Sequence, residues 1–131
     1  MRMTTIRKGR IGELEVTQDL LKKGWNVYSP VVDDHGIDLV AEKGNITHHI
    51  QVKTKRPSKG KTSIEVVIRI PSKADYLAVP LAMHKCVCYI PVDVSVESFK
   101  NKKSIALAFK KSKNGQVVDR NWYEDYLELP E

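Results

Sequence analysis

Between residues 5 and 23 the apolar positions follow a helical period. Ile11, Leu14 and Leu21 fall on one side of the wheel, and Val16 and Leu20 on a second. Gly24 follows as a stop signal suited to a left-handed cap. A helix apolar on two sides is expected to pack against more than one neighbour. Glu13 lies close in angle to Leu20, which puts a carboxylate at the edge of a buried face.

Beyond Gly24 the pattern changes to that of strands. Residues 25–28 have strand character and Pro30 interrupts them, while Asp33-Asp34-His35-Gly36 is turn chemistry. Residues 37–41 form a short apolar strand containing one acid, Asp38. Gly44-Asn45 offers a two-residue hairpin turn, and residues 46–54 form the return strand. A loop over 55–61 leads to a further strand at 63–70. A helical turn at 72–75, strands at 76–79, 86–90 and 105–109, and helices at 94–100 and 122–127 complete the expectation. Helix, three-strand meander, then mixed structure is the order of an α/β or α+β domain.

The chain has 131 residues, a length suited to one compact domain. We expect a core over about 5–110 and a C-terminal extension over 111–131. No run approaches a membrane span, and residues 1–10 lack the apolar stretch of a signal peptide, so a soluble, cytoplasmic protein is expected. Cys86 and Cys88 are one residue apart, too close on a strand for an unstrained bond, and read as reduced thiols. Lys and Arg number 22 against 16 for Asp and Glu, a net charge of +6. Distribution adds more than the total. Arg2, Arg7, Lys8 and Arg10 cluster at the start, and Lys53, Lys55, Arg56, Lys59 and Lys61 crowd one segment. Glu124, Asp125, Glu128 and Glu131 make the end acidic. Basic clusters favour a polyanion.

Taken literally, the Gly44-Asn45 turn pairs Lys43 with Ile46 and Asp38 with Gln51. Opposed residues share a face, and Lys53 joins it because the strand period is two. Ile37, Leu39, Ile50 and Val52 take the other face. One side of the hairpin is therefore core, and the other groups a carboxylate, an amide and an amine. Two such oxygens can hold a hard cation such as Mg²⁺, and a neighbouring lysine can orient or deprotonate a water on it. An exposed Asp–Lys pair on a solvated strand is the competing reading.

These residues resemble a family. Glu13 in the first helix, the acid in Gly36-Ile37-Asp38-Leu39-Val40 and then Ile50-Gln51-Val52-Lys53-Thr54 look like the PD-(D/E)XK nuclease superfamily. The closer likeness is to its Gln-containing subgroup, which includes intron-encoded homing endonucleases. Gly9-Arg10-Ile11-Gly12-Glu13 matches that subgroup's helix start, and Ala74-Asp75-Tyr76-Leu77-Ala78-Val79 and Tyr89-Ile90-Pro91-Val92 match later landmarks. The likeness runs from about residue 9 to 109. It departs in having Gln51 for Glu or Asp, and His35-Gly36 where Pro often precedes the acid.

The resemblance implies a restriction-endonuclease-like core, with an N-terminal helix, a β-meander and a mixed sheet flanked by helices. It implies a Mg²⁺-dependent endonuclease acting on double-stranded DNA, with Mn²⁺ able to substitute, working as a homodimer or higher assembly. Asp38 and Gln51 are then metal ligands with Glu13 and the Val52 carbonyl, and Lys53 is the catalytic lysine. Lys55, Arg56, Lys59 and Lys61, together with Arg7, Lys8, Arg10 and His35, are the expected DNA contacts, and the acidic tail lies away from DNA. A Holliday-junction or other structure-selective resolvase, and a non-catalytic DNA-binding protein on the same scaffold, are the alternatives.

Overall fold

The computed structural model describes residues 2–32, 36–69, 71–94, 96–97, 102–111 and 121–131. Its one α-helix among them, α1 (Thr5–Lys22), starts where the Thr4 hydroxyl accepts the Arg7 amide at 3.2 Å. It stops at Gly24, whose φ of 89° is costly for any residue with a Cβ. Strands β1 (Asn26–Tyr28), β2 (Leu39–Lys43) and β3 (Ile46–Val52) form the antiparallel meander. The register of β2 on β3 runs from Lys43↔Ile46 to Leu39↔Ile50, as the turn chemistry predicts.

From β3 the chain crosses to β4 (Ser63–Arg69) in a second sheet. It then returns to β5 (Tyr76–Leu81), which lies parallel to β3, and to β6 (Cys86–Pro91). The first sheet has the order β1-β2-β3-β5-β6. The second is β4-β8-β7, built with β7 (Val96–Glu97) and β8 (Lys102–Ala108), and β9 (Asn121–Trp122) lies parallel to β8.

Two cores follow from this layering. Val16 and Leu20 of α1 pack with Trp25, Leu39, Ile50 and Tyr89 on one face of the first sheet. Leu77, Val79 and Ile90 on its other face meet Ile64, Val66, Ile68, Ile105 and Leu107 of the second sheet. The first sheet thus has α1 on one side and a sheet on the other. Among the described residues no helix is long and apolar enough to cross a membrane. Cys86 is half-buried and Cys88 buried, both as free thiols, and burial pushes the Cys88 thiol up to about 12.

Several local expectations change. Ile11, Leu14 and Leu21 are 41%, 51% and 57% exposed, because the sheet reaches only the side of α1 that carries Gly12, Val16 and Leu20. Residues 72–75 are not helical; the Ala74 amide bonds the Ser72 hydroxyl instead. The helix expected over 94–100 is contradicted at 96–97, which pair with β8, while 95 and 98–100 lie outside the described residues. The closing helix is a 3₁₀ turn at Tyr123–Tyr126. The stretch read as an extension is tied into the first core: Leu129 is buried there, and the Lys23 ammonium bonds the Leu127 carbonyl. Lys43 Nζ bonds Glu131 at 2.6 Å, and the His48 ring bonds the Pro130 carbonyl at 2.7 Å.

Candidate active site

Asp38 sits where the β2–β3 ladder ends. Ile50, already opposite Leu39, also accepts the Asp38 amide at 2.8 Å. Two residues of one strand then oppose one of the other, the arrangement of a β-bulge, which re-aims a side chain. Asp38 therefore does not take the regular place opposite Gln51. Its Oδ2 instead accepts the Val52 N–H at 2.8 Å, a charge-assisted bond that fixes the carboxylate at the end of β3.

Gln51 is in register with Leu77 on the sheet face that meets the second sheet. Its Oε1 is buried and has no hydrogen-bond donor among the described residues. A buried acceptor left unpaired costs about 1–3 kcal/mol, so the site carries an unfilled demand for a donor or a cation. Gly36 closes over it: a Cβ there would lie 3.3 Å from Gln51 Nε2, and its φ is 74°. Only glycine meets both conditions without strain, which accounts for the Gly before Ile37-Asp38.

Lys53 continues β3, its amide bonded to the Ala78 carbonyl at 2.9 Å. Burial holds its ammonium below the usual lysine pKa. Asp38 partly offsets this, and the positive charge of Arg69 adds to it. A half-buried amine with one carboxylate beside it is suited to hold a proton or a water against a developing negative charge.

Glu13 lies on α1 with its side chain 23% exposed and Arg10 at 4.0 Å. The residue before it explains how this helix reaches the strand. A Cβ on Gly12 would lie 1.9 Å from Thr54 Cγ2 and 3.5 Å from Val52 Cγ1, so α1 lies against the chain on both sides of Lys53 in the sequence. Gly9, the other glycine of the motif, has nothing within 4 Å of such a Cβ. Sequence reasoning noted the Gly-x-x-x-Glu spacing but missed that Gly12 makes the contact.

The expected DNA contacts divide. Lys8, Lys55 and Arg56 line a cleft of about 480 Å³ between α1 and the loop after β3, together with Gly12, Thr54 and Met83. Lys55 Nζ also bonds the Glu65 carbonyl at 3.1 Å. Lys59 and Lys61 are exposed on the loop, and Arg7 and Arg10 on the helix. The first turn of α1 has no acid, so its basic residues oppose the helix dipole and are placed for an anion. His35 lies outside the described residues. His49 is engaged elsewhere, its amide bonded to Asp75 at 2.8 Å and its ring at 3.3 Å. Arg69, which no motif marks, is near enough to influence Lys53.

Among the described residues no three His, Cys, Asp or Glu side chains gather closely enough to hold a metal ion. A cation here must lean on the Gln51 amide and backbone oxygens as well as acids. Mg²⁺, which keeps several waters and takes few protein ligands, tolerates that set. The orphaned Gln51 oxygen fits such a group.

Among solved structures, the chain is similar to the bacterial homing endonuclease I-Ssp6803I, with a TM-score of 0.70 and 24% identity over 86% of this chain and 80% of that one. It is also similar to Hjc, a Holliday junction resolvase of the archaeal hyperthermophile Archaeoglobus fulgidus, with a TM-score of 0.57 and 19% identity over 75% of this chain and 83% of that one. At these identities the likeness establishes the restriction-endonuclease-like fold. No curated protein sequence gives a significant match. The sequence profile of the PD-(D/E)XK endonucleases matches residues 3–129. With nearly the whole chain inside that match, and the helix, meander and parallel β5 in place around it, this protein belongs to the PD-(D/E)XK endonuclease family.

Proposed function

We propose that the chain is a divalent-metal-dependent endonuclease that hydrolyses phosphodiester bonds in double-stranded DNA. The observation that carries this reading is the grouping at the end of β3: Asp38 fixed by the Val52 amide, the unpaired Gln51 oxygen and the half-buried Lys53. Asp38, Gln51 and the Val52 carbonyl, with Glu13 from α1, would hold the ion, Mg²⁺ in the first place. When bound, it supplies charge neutralisation at the phosphate and lowers the pKa of a water.

The protein's own residues do the rest. Lys53 positions the attacking water and stabilises negative charge on the phosphoryl oxygens. The loop with Lys55, Arg56, Lys59 and Lys61 holds the backbone beside it, with Lys8 lining the same cleft from α1 and Arg7 and Arg10 exposed on that helix. Two copies of the site would cut both strands of a duplex in one encounter, so a homodimer or higher assembly is part of the proposal. Leu14 and Leu21, exposed on α1, offer a face for it.

Plasmid and four-way-junction cleavage, with Mg²⁺ and with chelator, tests the reading. The parent should cut in Mg²⁺ and stop with chelator, and Asp38→Ala and Lys53→Ala should be inactive while folded. Mutants that cut like the parent would remove these residues from the site. DNA binding with no cleavage in any divalent metal would leave a binding protein.

A further inference from the structure

β4 is an edge strand of the second sheet. Its inward residue Ile68 packs in the same core as Leu77, and Leu77 is the register partner of Gln51. β4 therefore packs over the sheet face to which Gln51 belongs. The segment after β3 does reach β4, since the Lys55 ammonium bonds the Glu65 carbonyl at 3.1 Å, four residues before Arg69.

At the end of β4, Arg69 stands directly opposite Lys102 of β8. Opposed residues in an antiparallel pair project from one face, and like charges in that position destabilise a sheet. Both side chains are exposed, and among the described residues neither has an acid within ion-pair distance. The next cation along β8 is treated differently. Lys103 stands opposite Glu97 in the ladder and shares a cleft with Asp75 and Asp93. The remaining pairs on the face of Arg69 and Lys102 are Val67 with Ser104, Glu65 with Ala106 and Ser63 with Ala108, whose β8 members are small and leave room for approach. Two cations are thus held together at the end of the strand that Lys55 reaches. A polyanion would turn this repulsion into attraction.

We propose that Arg69 and Lys102 form a phosphate clamp that grips the nucleic-acid backbone next to Lys53, an inference that rests on the endonuclease reading above. Arginine offers a planar fork to two phosphate oxygens, and lysine a point charge to the adjoining one. They are positioning residues: they set where the strand lies, and Lys53 acts on it.

The test uses Arg69→Gln, Lys102→Gln, the double variant, Arg69→Lys and Lys102→Glu in the full chain. Binding to a fluorescein-labelled mixed-sequence duplex is followed over a salt series, and KM and kcat are measured for Mg²⁺-dependent cleavage. Each Gln substitution should lower the slope of log K against log salt by about 1 and raise KM more than it lowers kcat. Arg69→Lys should recover most of the slope. Lys102→Glu, which gives Arg69 an opposite charge, should melt above the parent yet bind DNA more weakly than Lys102→Gln. A double variant with the parent's salt slope and KM would overturn the clamp and leave the endonuclease reading standing. A parent that neither binds nor cuts DNA would overturn both.

Discussion

Replacing Gly12 by alanine tests how the helix is held against β3 and the residues that follow it. The new Cβ would lie 1.9 Å from Thr54 Cγ2, whereas carbon atoms pack at about 3.5–4.0 Å. If the backbone took up the whole difference, α1 would have to retreat by roughly 1.5–2 Å from β3. Thr54 can instead rotate, but one staggered well puts Cγ2 toward the helix and a second puts Oγ1 there. Only the third presents hydrogen. Overpacking of this kind costs about 1–3 kcal/mol, while replacing a helical Gly by Ala returns about 0.8–1 kcal/mol. The net result is a loss of up to about 2 kcal/mol.

Gly9→Ala is the internal control, because nothing lies within 4 Å of a Cβ at that position. It should gain about 1 kcal/mol from propensity alone, so the difference between the two variants isolates the overpacking. Thermal melts measure it. Plasmid cleavage reads the consequence for the site, where a displacement of about 1 Å can cost on the order of 10²-fold in rate. Thr54→Ala removes the offending methyl and leaves only contacts of 3.5 Å or close to it, so it should restore the Gly12→Ala variant. Equal stabilisation by Gly9→Ala and Gly12→Ala would refute the close approach. Lost stability with no rescue by Thr54→Ala would refute the contact named here.

Further outcomes follow from burial and charge. Lys53→Met should abolish cleavage but raise the melting temperature at neutral pH, because a half-buried ammonium is removed; a lower melting temperature would contradict that environment. The folded pKa of Lys53 is lowered, so the unfolded chain binds more protons between that value and 10.5. The parent should therefore gain stability relative to Lys53→Met as pH rises through this window, as denaturant melts at stepped pH would record. Leu129→Ala should cost about 2–5 kcal/mol, since the side chain is 3% exposed within the first core. Neutralising Lys55, Arg56 and Lys59 together should flatten the salt dependence of DNA binding, and an unchanged slope would take the loop out of the interface.

Much of the first sheet was readable from the chain. Gly44-Asn45 dictates a tight turn, and the apolar alternation on either side leaves one register that buries Leu39 and Ile50. The bulge at Asp38 was not, because it depends on which carbonyl the Asp38 amide meets and not on residue type. The crossover between β3 and parallel β5 was not legible either. Such connections usually carry a helix, and residues 63–69 show only that they form a strand, not which sheet they join. Short apolar runs such as 94–100 fit helix or strand equally well. Within the candidate site, Asp38, Gln51 and Lys53 stand out by spacing, and Glu13 by its edge position. Gly12 and Arg69 emerge only when a second element is laid against them.

The seating of the last residues bears on how the protein folds. The bonds from Lys23 to Leu127, from Lys43 to Glu131 and from His48 to Pro130 span 104, 88 and 82 positions. Contacts so distant in sequence close late and slow the search for the native state. The C-terminal turn of α1 and the far end of the β2–β3 hairpin therefore complete their packing only when the tail arrives. Amide exchange near Lys23 should accordingly report release of the tail, making the two ends of the chain one cooperative unit.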